Sequence, residues 1–167
     1  LQTEIDLYGH TAVVSVLVGG RFLIAAIALF IGSSKARAAL RERELWGGGT
    51  ILGVILLIGF TTQMVGIDTI SPSTSAFLTS LYVVFTAMIS TKMTGQPVTR
   101  MMVAGVLLAT FGAGFIEGPP HLSWGRGEIL TVICAFFFAL HIIFTQSITQ
   151  RMDPLGVTIT SFLVVSI

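Results

Sequence analysis

The chain predicts an all-α fold, a polytopic membrane helical bundle, and three observations predict it. Hydrophobic residues make up 53% of the sequence and charged ones 10%, well outside the balance of a soluble domain, in which about a quarter of residues are charged. Apolar runs of near-spanning length recur at 11–32, 47–67, 73–90, 101–116 and 129–148, with a partial run from residue 155 onward. The connections between them are brief and punctuated by Gly, Pro and charge, as at 94–98 and 118–128. A membrane β-barrel would instead show short segments of alternating polarity, and none is present. The reading is about five complete transmembrane helices and part of a sixth.

The first run, 11–32, carries Arg21 near its middle. A cation at that depth costs about 2.5–3.5 kcal/mol on insertion scales, so it requires a partner. Ala25, Ala28 and Gly32 continue its helical face and let another backbone approach. Arg21 then either meets an anion or carboxylate in a cavity, or bonds structurally to carbonyls or a neighbouring helix. The second run, 47–67, brings Gly49 and Gly53 together as a packing pair and sets Gln63 on a face with Gly59 and Gly66. An amide there can bond a solute or a facing helix equally well. Trp46, at the edge of this run, and Trp124 fit interfacial positions.

The third run, 73–90, is the most informative. Ser71 can cap the helix and Pro72 suits its first position, where the missing N–H costs nothing. Ser75, Thr79, Tyr82, Thr86 and Ser90 follow at spacings of four, three, four and four, which puts five hydroxyls on one stripe of an otherwise apolar helix. Ser and Thr can bond back to their own carbonyls and hold helices together, or the stripe can line a polar cavity. The Tyr82 ring and hydroxyl could stack on and bond a small amphiphilic solute, or bridge helices.

The fourth run, 101–116, is short and rich in small residues, with Gly105, Ala109 and Gly112 on one stripe. The fifth, 129–148, lines up Thr131, Cys134, Phe138, His141 and Thr145. His141 is the mid-span group whose ordinary pKa lies near physiological pH, so proton coupling within this sequence would run through it; bonding to a hydroxyl or carbonyl is the alternative. The single cysteine, Cys134, makes no intrachain disulfide and no thiolate metal site. No metal and no cofactor are expected. The run from residue 155 is too short to cross a bilayer and the first residue is Leu1, so the sequence is expected to be a piece of a longer chain.

Orientation follows from the bases. With residues 1–10 outside, the inside connections hold Lys35, Arg37, Arg41, Arg43, Lys92, Arg100 and Arg151, and the outside ones only Arg126. The positive-inside rule selects this arrangement and makes the 33–46 loop cytoplasmic, in a multi-pass protein of the cell membrane. Short basic clusters between apolar runs, with no extended basic face, give no nucleic-acid footprint. Asp6, Gly9 and Thr11 recur at constant spacing as Asp153, Gly156 and Thr158, each trio leading into a span. Five spans separate the copies, so the repeat would have inverted topology, as in many secondary transporters.

The Arg21-Phe22-Leu23-Ile24-Ala25-Ala26 segment, the Ser71-Pro72-Ser73-Thr74-Ser75-Ala76-Phe77-Leu78 helix start, and the stretch 105–114 after Gly95-Gln96-Pro97 resemble the drug/metabolite transporter superfamily, EamA type. The resemblance covers almost the whole chain. It implies ten helices in two inverted repeats, with residues 1–117 forming most of the first repeat, lacking its first helix, and 127–167 beginning the second. It also implies a secondary transporter of small metabolites, an exporter of amino acids or related solutes, working by alternating access as a monomer or a homodimer. The family's acidic residue in a Gly-Glu-Arg or Gly-Glu-Lys turn is replaced here by Gln96 and Pro97 after Gly95, so any role of that acid is not carried over.

On this reading Arg21, Gln63, Thr79, Tyr82, Thr86 and His141 are the candidates for the substrate cavity, with a small-molecule substrate and membrane lipid as partners. Two other classes compete. An intramembrane enzyme needs a nucleophile with a base, or a metal cluster, and the sequence has no HExxH, no Gly-x-Ser-x-Gly and no pair of mid-span carboxylates. A membrane scaffold would use the hydroxyls wholly in packing.

Overall fold

The computed structural model describes residues 10–94, 99–101, 103–105, 107–108 and 125–167. The described elements are α1 (His10–Gly32), α2 (Ser34–Ala39), α3 (Arg43–Ile67), α4 (Pro72–Ser80), α5 (Tyr82–Thr94), α6 (Arg126–Thr149) and α7 (Pro154–Ser166). Among the described residues there is no strand. Among the described residues, four stretches are long and apolar enough to cross a membrane: Ser15–Gly32, Arg43–Ile67, Pro72–Lys92 and Arg126–Thr149, with Pro154–Ser166 as a shorter apolar helix. The helical bundle expected from the sequence is therefore present. The 101–116 run falls mostly outside the described residues, as do the 1–9 segment of the repeat echo and Trp124.

The helix ends follow local chemistry. Ser71 accepts from the Thr74 N–H at 3.1 Å and Pro72 occupies the first turn of α4. Asp153 does the same for α7, accepting from the Gly156 N–H at 2.9 Å ahead of Pro154. Glu128 is buried in the first turn of α6 and reaches back to the Gly125 N–H at 3.0 Å, the carboxylate half of a capping box. At the far end of α1, Arg37 donates to the Phe30 and Ile31 carbonyls at 2.7 and 3.0 Å, placing a cation on the negative end of the helix dipole. The short α2, which the apolar runs did not predict, is capped by Ser33 accepting from the Ala36 N–H.

The chain divides into two compact units, Leu1–Thr61 with Phe144–Ile167, and Thr62–Ile143. In the first, α7 packs on α1 and α2, and Ala39, Leu45, Leu52 and Val157 form a buried core flanked by Ile148 and Met152. Glycines set the distance between α3 and α7. A Cβ at Gly49 would collide with the Thr160 hydroxyl, and one at Gly53 would lie 2.7 Å from Val164 Cβ and 2.8 Å from the Ser161 carbonyl oxygen. The close approach brings Thr160 Oγ1 within 3.2 Å of the Leu45 carbonyl across the interface, so that its one proton is shared between that oxygen and the Gly156 and Val157 carbonyls of α7. Phe22 packs edge-on to Phe60 and tilted against Phe162, with centroids 5.2 and 5.3 Å apart.

In the second unit, the end of α3 meets the start of α6. A Cβ on Gly127 would come within 2.8 Å of the Gly66 carbonyl oxygen, and one on Gly66 within 3.1 Å of that of Gly127. Phe85 of α5 meets Phe136 of α6 edge to face at 5.9 Å. The sequence predicts one continuous helix from Ser71 to Ser90, and here the structure differs. Leu81 separates α4 from α5: it remains right-handed, but its N–H bonds the Leu78 carbonyl at 3.2 Å, a tightened turn within one span.

Candidate functional site

The hydroxyl stripe does not behave as one surface. Ser75 is enclosed at 2% exposure, and its oxygen has no hydrogen-bond partner among the described residues. Four residues on, Thr79 accepts a hydrogen bond from the Gln63 side-chain amide at 3.1 Å, joining α4 to α3. That leaves the Gln63 carbonyl oxygen without a partner among the described residues, and the amide half-buried.

Beyond Leu81 the stripe opens onto space. A cavity of about 420 Å³ is lined by Tyr82, Val83, Thr86, Ala87 and Ser90 of α5, with Gly105 and Ile142. Tyr82 and Thr86 therefore stand together on one wall. The Thr86 hydroxyl spends its proton on the Tyr82 carbonyl at 2.7 Å, so its oxygen can still accept. The Tyr82 phenol makes no hydrogen bond among the described residues and is able both to donate and to accept. The lining thus sets a few hydroxyls among mostly aliphatic carbon. Its volume falls within the roughly 300–1,000 Å³ of small-molecule sites.

The remaining candidates lie elsewhere. His141 is half-buried on α6, next in sequence to the cavity-lining Ile142 but not itself on the described wall. On the stripe predicted around it, Thr131 is buried and donates to the Gly127 carbonyl at 2.8 Å, and Cys134 is buried. Arg21 belongs to the first unit, is exposed, and holds its guanidinium carbon 5.1 Å from the centre of the Phe60 ring. Val83, Ala87 and Ile142 are cavity residues that the sequence did not single out, and Gly105 was read only as a packing position. Aliphatic side chains carry no chemical signature, and two of the four come from outside the hydroxyl-bearing span. Among the described residues no three of His, Cys, Asp and Glu gather where a metal could be held.

Comparison with known proteins adds the following. The model of the EamA-like transporter family matches residues 8–117. An uncharacterized transporter of Archaeoglobus fulgidus is 32% identical over 106 residues, which cover 64% of this chain and 34% of the relative. The chain thus spans about a third of the length of the curated relative it matches. No solved structure matches it.

Proposed function

Because the chain belongs to the EamA-like transporter family, we propose that the protein is a carrier of small metabolites that exports amino acids or related solutes by alternating access. Family membership and four long apolar helices make it a multi-pass membrane protein, and point away from catalysis. The cell membrane, with residues 1–10 outside and the 33–46 loop in the cytoplasm, is the location that the basic residues favour.

The observation that carries this reading is the cavity beside Tyr82 and Thr86. A carrier needs a chamber of solute size with a few directional groups on an apolar wall. Here a phenol and a hydroxyl oxygen share a lining with Val83, Ala87 and Ile142. The Gln63 to Thr79 bond, on the other side of Leu81 along the same span, would hold that half of the helix while the cavity half receives solute. His141 is the residue we assign to proton coupling, and a homodimer is compatible with the family.

The test is transport by the full chain. Expression should change the intracellular level of a small solute, and Tyr82→Ala should abolish that change without reducing insertion into the membrane. Unaltered transport by this variant would remove the cavity from the carrier. A scaffold without transport is the second reading. It is favoured by the hydroxyls that bond back within their own helices, among them Thr86, Thr131, Thr149 and Thr158.

A further inference from the structure

The glycines of this chain fall into two kinds. At Gly49, Gly53, Gly66 and Gly127 an added Cβ would stand under 3.0 Å from a neighbour, so the missing side chain serves close packing of helices. Gly105 is of the other kind. It is exposed, and nothing among the described residues lies within 4 Å of where its Cβ would stand. Gly20, Gly32 and Gly47 share that freedom, but of these four it is Gly105 that borders the cavity. Residues 103–105 are helical, where glycine is a poor former. Its described neighbours do not ask for it, and the packing role expected from its stripe of small residues is not what they give it.

The chemistry of the lining says what the spare room can hold. Tyr82, Thr86 and Ser90 run along two turns of α5, with Val83 and Ala87 on the same helix and Ile142 from α6. No Asp, Glu, Lys, Arg or His borders the cavity among the described residues. A charged group there would lose its water and meet no counter-ion, whereas an uncharged one can accept from the Tyr82 phenol and donate to the Thr86 oxygen. What fits is an uncharged, mostly apolar body. Its size is then limited by the side chains that take up the space, and at position 105 there is none.

We propose that Gly105 determines which solutes the cavity accepts by size: its bare backbone leaves the room that the apolar body of the solute fills. This rests on the carrier reading and narrows it. The part of the substrate held beside Tyr82 and Thr86 is uncharged and apolar, and every carbon added at position 105 shortens the longest body that enters.

The full chain, purified in detergent, would be titrated calorimetrically with the straight-chain primary amides from acetamide to hexanamide, which pair an uncharged polar head with an apolar tail of graded length. Affinity should rise roughly fourfold for each CH2 buried. Gly105→Leu should weaken hexanamide at least about tenfold, the equivalent of two such groups shut out, and leave acetamide within about twofold. Gly105→Ala should do the same on a smaller scale, and it keeps the test open should the leucine variant fail to fold. Ile142→Ala, which takes aliphatic carbon away from the same lining, should restore part of the lost hexanamide affinity when combined with Gly105→Leu.

No binding of any amide, affinity that does not rise with length, or hexanamide binding untouched by both substitutions would each overturn the proposal. Equal losses for acetamide and hexanamide would also overturn it and return Gly105 to packing. The carrier reading is judged separately, by transport. A tail-length limit that shortens in Gly105→Leu in a chain that changes no solute level would keep the size role and remove the carrier, while transport abolished by Tyr82→Ala with a limit indifferent to position 105 would do the reverse.

Discussion

Replacing Gly53 with alanine tests the contact between α3 and α7 by adding one methyl group. The new Cβ would stand 2.7 Å from Val164 Cβ, 2.8 Å from Val164 Cγ1 and 2.8 Å from the Ser161 carbonyl oxygen. Each of these falls short of ordinary contact by roughly 0.6 Å, and a backbone oxygen cannot swing aside as a side-chain tip can. To relieve it α7 must retreat, and a retreat of that size forfeits a quarter to a half of the dispersion energy at every atom pair left apart. Overpacking of this kind costs about 1–3 kcal/mol. Gly47 is the internal control: it lies in the same helix, is exposed, and has nothing within 4 Å of an added Cβ. There alanine only removes the backbone freedom of glycine, a gain of up to about 1 kcal/mol. The two variants should therefore move stability in opposite directions, separated by roughly 1–4 kcal/mol. Equilibrium unfolding of the full chain in mixed micelles reads the difference. If Gly53→Ala proves as stable as Gly47→Ala, the close approach of α7 to α3 is wrong.

Four further outcomes are expected. Thr79→Val should cost no more than about 1.7 kcal/mol of unfolding free energy, the upper range for a hydrogen bond between membrane helices, while reducing transport; loss of folding instead would make the Gln63 bond structural. In a Cys134→Ala background, cysteines at Thr86 and Ser90 should react with small aqueous thiol reagents and one at Ser75 should not, since only the first two line the cavity; a reversed order refutes the division of the stripe. Asp153→Ala should lower stability by about 1 kcal/mol through loss of the cap on Gly156, measured by the same unfolding experiment. Tyr82→Phe, which keeps the ring and removes the hydroxyl, should raise KM for export more than it lowers kcat; an unchanged KM would mean that the phenol does not touch solute.

The membrane class and most helix positions were legible from the sequence because apolar length is a one-dimensional property. The runs 11–32, 47–67 and 129–148 reappear as α1, α3 and α6, each extended at one or both ends by polar or charged residues such as His10, Arg43 and Glu128. The caps at Ser71 and Asp153 use neighbouring residues and so follow from local order, although only Ser71 was anticipated. Periodicity found the hydroxyl stripe but not its division. Whether Ser75 faces protein and Thr86 faces space depends on α6 and on Gly105, which come later in the chain. The same limit applied to Arg21: its position announced a buried cation, while its partner, Phe60, lies 39 residues away and bears no polar group. Small residues were correctly read as packing sites at Gly49 and Gly53, yet the helix they receive, α7, was visible only as a partial run.

The tightened turn at Leu81 divides the labour of its span. An uninterrupted α-helix moves as a rod, so whatever displaced one end would drag the other. A single narrowed turn interrupts that regular ladder at one point. The tether to Gln63 lies on one side of that turn, and the cavity wall bearing Tyr82 and Thr86 on the other.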